Sequence, residues 1–281
     1  MEIKLVGVVG AGLMGSGIAE VAARAGYRVV LVDVDNYNLA KGHKRILSNV
    51  TKSVEKGQLT SAEGKDTVDR ISVGESYEDL AEANLVIEAV YEKMEVKKPV
   101  FQKLDAIINS AAILATNTSG LSVTELSTAT KRPDKVLGLH FFYPAPRMKL
   151  VEIIRSLATS DATYNTARAF VASLGKQAIL ALDYPGFIVN RILLPMINEA
   201  VFCVMEGAKP EDVDAAMKLG CNHPMGPLEL ADFVGIDVAL ATIMGLYENM
   251  RDPKYRPCPL FVKMVEAGWL GRKTGRGFYT Y

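Results

Sequence analysis

Leu5-Val6-Gly7-Val8-Val9-Gly10-Ala11-Gly12-Leu13-Met14-Gly15-Ser16-Gly17-Ile18-Ala19 joins an apolar run of strand length to a glycine-rich turn and then to a helix-like stretch. Its glycines spell GxGxxG in the setting that gives the motif meaning, after a strand and opening a helix. Gly10 permits the tight turn, Gly12 lets the backbone approach a pyrophosphate, and Gly15 lets helix and strand pack closely. Leu13 and Met14 complete the turn. The helix start then offers unpaired N–H groups and the positive end of its dipole to phosphates. A packing turn could carry the same letters. Against that reading stands Asp33, after a second apolar run and 18 residues beyond Gly15. An acidic residue there accepts hydrogen bonds from a ribose 2′-OH and repels a 2′-phosphate, so NAD is expected rather than NADP.

Working outward, further apolar runs lie at 29–32, 85–87, 113–115, 136–139, 150–154 and 178–182. Such runs suit strands buried on both faces. Helix-like segments separate them, for example 15–24, 96–108 and 163–174. The alternation predicts a doubly wound, mostly parallel sheet. The Lys- and Glu-rich segment 38–70 exceeds an ordinary crossover and reads as an inserted helical hairpin. At Asp183-Tyr184-Pro185-Gly186 the pattern changes, and helical spacing persists to the end of the chain. The boundary is placed there, giving domains 1–183 and 184–281. Segment 187–205 is apolar on nearly every side, so its helix is expected to be buried all round, with a homodimer formed through this helical domain.

Lys+Arg and Asp+Glu are both 32, so no overall field recruits nucleic acid or a membrane surface. Cys203, Cys221 and Cys258 have no CxxC spacing, and neither a metal site nor a disulfide framework is expected. The chain enters an apolar run at Ile3, so no signal peptide is expected, and the longest apolar stretch carries too many polar groups for a membrane span to be expected. A cytoplasmic location is expected.

Ligands of open parallel sheets bind beyond the carboxyl ends of the strands. Asn117-Thr118-Ser119 follows one strand and His140 closes another. A histidine at a strand end is often structural. Glu152, however, lies in the apolar run Leu150-Val151-Glu152-Ile153-Ile154, and a carboxylate buried there needs a partner. Paired with His140, it would fix the imidazole tautomer and leave the other nitrogen as a base. Alternatively, Glu152 lies on an edge strand in water. Ser119 can hydrogen-bond a reacting oxygen. Asn190, on the first helix of the second domain, either points into an interdomain cleft or caps a neighbouring loop.

The stretches VVGAGLMGSGIAEVAA (8–23), LVIEAV (85–90), ATNTSGLSVTEL (115–126), GLHFFYPAPRMKLVEII (138–154), PGFIVNRILLPMINEA (185–200), AMKLGCNHPMGPLEL (216–230) and GWLGRKTGRGFY (268–279) together resemble the 3-hydroxyacyl-CoA dehydrogenase family, in its stand-alone bacterial short-chain branch. The resemblance covers essentially the whole chain. It implies a Rossmann-type domain followed by an all-helical one. The implied reaction is NAD-dependent interconversion of a short-chain (S)-3-hydroxyacyl-CoA, such as 3-hydroxybutyryl-CoA, with its 3-oxoacyl-CoA, such as acetoacetyl-CoA. His140 would be the base, Glu152 its orienting partner, and Ser119 and Asn190 the substrate contacts. Glu92, Lys97, Asn117 and Lys273 would lie near the dinucleotide. Lys52 and Lys56, on the inserted hairpin, become candidates for the phosphates of coenzyme A, although a solvated helix face explains them equally well. Two positions depart from the family. Tyr143 replaces the asparagine of HFFNP, adding bulk near the reactive centre, and Gly120 replaces a second serine. Rival readings are a dehydrogenase for a free hydroxy acid and a dinucleotide-binding protein without catalysis.

Overall fold

Strands made of Val, Ile and Leu alone can persist only in a sheet covered on both faces. The computed structural model, which describes residues 2–281, contains such a sheet. The chain divides into two compact units, Met1–Asp183 and Tyr184–Tyr281. The first runs β1 (Leu5–Val9), α1 (Leu13–Arg24), β2 (Arg28–Val32), α2 (Asn36–Glu55), α3 (Ser61–Asp69), β3 (Ile71–Gly74), β4 (Leu85–Glu88), α4 (Met94–Ile107), β5 (Ile113–Thr116), α5 (Val123–Ser127), β6 (Val136–Phe141), β7 (Leu150–Arg155), α6 (Asp161–Ser173) and β8 (Gln177–Leu182). Among the described residues one eight-stranded sheet forms, ordered β3-β2-β1-β4-β5-β6-β7-β8. Neighbouring strands are parallel except β6 and β7. Strand order switches between β1 and β4, the point at which sheets of this kind bind ligands. Val6, Val8, Leu31, Ile87, Leu137 and Leu139 from the sheet and Ile18, Ala22 and Phe170 from the helices share one core.

The segment 38–70 forms two helices, α2 and α3. Asp35 caps α2 by accepting from Tyr37 N (2.8 Å), and a Thr60–Glu63 capping box starts α3. The pair docks on α1 through a buried carboxylate. Glu20 accepts from Asn49 Nδ2 of α2 (3.0 Å) and pairs with Arg24 (2.6 Å).

Two details differ from the sequence expectations. β3, only four residues with Ile71 and Gly74 buried and the two between them exposed, has too little apolar character to stand out. β8 is an edge strand rather than one buried on both faces, and Leu180 and Leu182 are exposed. Within one chain the helix of segment 187–205 leaves Ile192 exposed, on the side that the expected homodimer would cover.

The second unit comprises α7 (Val189–Met205), α8 (Pro210–Cys221), α9 (Pro227–Val234), α10 (Ile236–Met250) and α11 (Pro259–Glu266). Its β-pairing, among the described residues, is confined to isolated bridges within 271–280. Leu194, Ile197 and Val201 of α7 enter a core with Leu228, Ile243 and Phe261. Ile192, on another side of α7, is 67% exposed. Two buried aspartates latch the end of the chain. Asp214 accepts from Leu228 N (2.8 Å), Glu229 N (2.9 Å) and Tyr279 Oη (2.7 Å). Asp232 accepts from Phe278 N and Tyr279 N, both at 3.0 Å. No single helix among the described residues is long and apolar enough to cross a membrane.

Candidate active site

The glycine-rich turn has the geometry its spacing predicts. Gly10 has φ +100°, and a Cβ there would lie 2.6 Å from the Ala89 carbonyl oxygen. At Gly15, inside the first turn of α1, a Cβ would overlap the Gly10 carbonyl. Gly12 is the N-cap of α1, no side chain caps the helix there, and an added Cβ would meet nothing within 4 Å. The first turn of the helix, carrying Leu13 and Met14, therefore opens on free space, which fits a dinucleotide pyrophosphate. Asp33, just past β2, accepts from Ala11 N (2.7 Å) and Asp35 N (3.0 Å), so its carboxylate is fixed at the rim of the turn. Arg45 of α2, which sequence reasoning missed, reaches the same turn. Its Nη1 donates to Gly12 O (3.0 Å) and Ser16 Oγ (2.8 Å). Nothing in its spacing marks it out. Lys52 and Lys56 are exposed at the far end of α2, about one turn apart.

At the ends of β4 and β5 the chain gathers a charged cluster. Lys97 of α4 is buried, and its ammonium lies 2.7 Å from Glu88 and 3.1 Å from Glu92. Glu92 Oε1 accepts from Thr118 Oγ1 (2.6 Å), Ser119 N (2.7 Å) and Ser119 Oγ (3.2 Å). Burial pulls the Glu92 carboxyl up, but Lys97 and these donors outweigh it and hold it below the ordinary range. Glu88 goes the other way, as burial pushes it up against the pull of Lys97, Thr116 and Val90 N. Glu88 was absent from the candidates, although a carboxylate ending the apolar run Leu85-Val86-Ile87-Glu88 is the same signal that singled out Glu152. Asn117 Oδ1 accepts from Phe141 N (2.9 Å) and so ties β5 to the strand that carries the histidine.

β6 runs two residues further than expected, so His140 lies within the antiparallel ladder and faces Glu152 across it. The register puts His140 Nδ1 2.8 Å from Glu152 Oε2, both side chains being buried. Phe142 tilts against the imidazole, with ring centroids 4.3 Å apart. Tyr143 is 54% exposed.

Thus the first unit gathers Gly10–Gly15 and Asp33 at one end of β1 and β2, and Glu92, Lys97, Asn117 and Ser119 beyond β4 and β5. His140 and Glu152 form a pair on β6 and β7. Asn190 and Lys273 belong to the second unit. Asn190 lies in the first turn of α7, and Lys273 Nζ is held by both oxygens of Asp237, at 2.5 and 2.7 Å.

Residues 5–184 match the model of the 3-hydroxyacyl-CoA dehydrogenase NAD-binding domain, and residues 186–281 match that of the C-terminal domain. The chain belongs to the 3-hydroxyacyl-CoA dehydrogenase family. Within that family it is 54% identical to a 3-hydroxybutyryl-CoA dehydrogenase of Bradyrhizobium diazoefficiens, over 99% of this chain and 96% of that one. It is 41% identical to the human mitochondrial hydroxyacyl-coenzyme A dehydrogenase, over 99% of this chain and 91% of that one. The crystal structure of (S)-3-hydroxybutyryl-CoA dehydrogenase from Ralstonia eutropha superposes with TM-score 0.97 at 47% identity, covering 100% of this chain and 99% of that one. The first unit is accordingly the family's NAD-binding domain, on a mostly parallel sheet, and the second is its all-helical partner.

Proposed function

We propose that the protein interconverts (S)-3-hydroxybutyryl-CoA and acetoacetyl-CoA with NAD(H), using His140 as the acid–base group. The observation that carries this reading is the buried His140–Glu152 pair, added to the NAD-binding turn. A protein that merely held a dinucleotide has no use for a buried imidazole–carboxylate pair at a strand end.

In the oxidative direction the second His140 nitrogen, Nε2, takes the proton of the 3-hydroxyl. Glu152 accepts a hydrogen bond from Nδ1–H, which fixes the tautomer and stabilises the imidazolium as it forms. NAD, when bound, would supply the acceptor for the hydride of C3. The Gly10–Gly15 turn would hold its pyrophosphate and Asp33 its ribose, and Glu92, Lys97, Asn117 and Lys273 would lie along it. Ser119 donates to the reacting oxygen, and Asn190 is a second substrate contact. In reverse, imidazolium His140 returns the proton to the developing alkoxide. Lys52 and Lys56 supply point charges for the phosphates of coenzyme A. The helical unit serves self-association, for which the exposed apolar side of α7 is the support.

The test is NADH oxidation by the purified protein with acetoacetyl-CoA and with free acetoacetate. Turnover of the thioester, with the free acid far slower, is expected. Equal rates would assign the protein to free hydroxy acids, and no turnover of either would remove the catalytic reading.

A further inference from the structure

We infer that Glu88, which takes no direct part in the proposed reaction, is the residue that positions Ser119, acting through Lys97 and Glu92. The inference rests on the reading above only where it gives Ser119 a place at the reacting oxygen.

Glu88 ends β4 with no exposure to solvent. A carboxylate and an ammonium buried together gain little stability over apolar side chains of the same size, because both lose their hydration. The connection between β4 and β5 does not require them, since the parallel ladder already joins Leu85–Glu88 to Ile113–Thr116. The pair does, however, hold a group that lies outside the core. Glu88 Oε1 accepts from Val90 N (2.7 Å) and from Lys97 Nζ (2.7 Å), while Oε2 accepts from Thr116 Oγ1 (2.7 Å). These three donors fix the carboxylate, and the carboxylate fixes Lys97. The same ammonium then reaches Glu92 Oε2 at 3.1 Å, and with Thr118 Oγ1 on the other oxygen it fixes a side chain that is 41% exposed. With one oxygen held by Lys97, the other is set to take both Ser119 N and Ser119 Oγ. The chain of contacts runs from a buried carboxylate, through a buried cation, to the backbone and hydroxyl of the proposed substrate residue. Without the charge on Glu88, Lys97 keeps one anionic partner, Glu92, and a long contact of 3.5 Å to the Val90 carbonyl, and the hold on Ser119 slackens.

The experiment compares Glu88→Gln, Ser119→Ala and the double variant with wild type, alongside His140→Ala as the control for the proposed reaction. Glu88→Gln is expected to lower kcat by ~10–100-fold, the scale of a misplacement of about an ångström. KM for acetoacetyl-CoA should stay within about threefold, since the lost interaction acts in the transition state. In the Ser119→Ala background the same change should cost nothing further, because both act on one group. A second readout is independent of turnover. The Ser119 amide should exchange its hydrogen at least ~10-fold faster in Glu88→Gln, the weight of one hydrogen bond to a charged group. The ladder amides of β5 should keep their protection. If Glu88→Gln does not fold, Glu88→Asp retains the charge but shortens its reach, and the same kcat loss and faster Ser119 exchange are expected of it. Wild-type kcat with unchanged exchange at Ser119 in the folded variant overturns the inference, as do losses that multiply in the double variant. An inactive wild type would instead sink the proposed reaction, and the exchange measurement would still decide the role of Glu88.

Discussion

Removing the His140 imidazole should lower kcat by on the order of 10²–10⁴, the usual worth of a general base, with NADH affinity little changed. Glu152→Gln should lose activity too, since an amide cannot favour the imidazolium. Steady-state kinetics and NADH fluorescence titration check both, and near-wild-type turnover of His140→Ala would refute the assignment. Tyr143 offers a separate test. The residue is more than half exposed and outside the core, so its replacement is not expected to disturb the fold. A ring lying along the acyl path would restrict chain length, each methylene being worth only ~1–3 kcal/mol of discrimination. We expect Tyr143→Asn to raise kcat/KM for C8 relative to C4 thioesters, and an unchanged ratio would show that Tyr143 does not set chain length. At this scale the sequence revealed side chains whose chemistry clashes with their surroundings. Glu152 in an apolar run pointed to His140. Lys97 was legible only through family resemblance, because its burial depends on Glu88 and Glu92, which approach it through the end of β4 and the following turn.

Asp214 of α8 acts as the N-terminal cap of α9 and also receives the Tyr279 hydroxyl, which burial and the neighbouring carboxylate hold protonated well above the ordinary phenol range. Asp214→Ala removes three hydrogen bonds at once and should destabilise the protein by ~2–4 kcal/mol, read as a shift of the urea midpoint. A shift within error would mean that the latch is dispensable. Glu20, between α1 and α2, makes a prediction about pH. Burial raises its carboxyl above the ordinary 4.5, against the pull of Asn49 and Arg24. The native state therefore holds this proton more tightly than the unfolded chain does. Its contribution is fully present below pH 4.5 and is lost as pH rises through the raised value. Glu20→Gln should flatten the fall in stability over that window, measured by urea unfolding at several pH values, and an identical slope would contradict it. Most elements were legible because runs of Val, Ile and Leu alternate with helical periodicity. β3 escaped because it is short and only half apolar, and β8 misled because an apolar run looks the same on an edge as in the middle of a sheet.

For the molecule as a whole, the division at Asp183 follows the Pro–Gly turn and the change of periodicity. The all-round burial expected of segment 187–205 requires a second copy, and within one chain Ile192 stands in solvent. Periodicity can say that a surface is apolar, but not which molecule covers it. If the cover is a second copy, Ile192→Glu should convert dimers to monomers in sedimentation velocity, with far-ultraviolet circular dichroism unchanged. A monomeric wild type, or a variant that stays dimeric, would rule out that use of the helix. The sheet has one more consequence. The glycine turn, Asp33, Glu92, Asn117 and Ser119 all follow the carboxyl ends of parallel strands, so the turns that enter those strands lie on the opposite rim. Exposed Ser110, in the turn before β5, is separated from Asn117 by the length of that strand, ~13 Å at 3.3 Å per residue. A tether or fluorophore attached at Ser110 would therefore anchor the enzyme to a surface with its reactive rim turned outward, giving an immobilised catalyst whose orientation is set by strand direction.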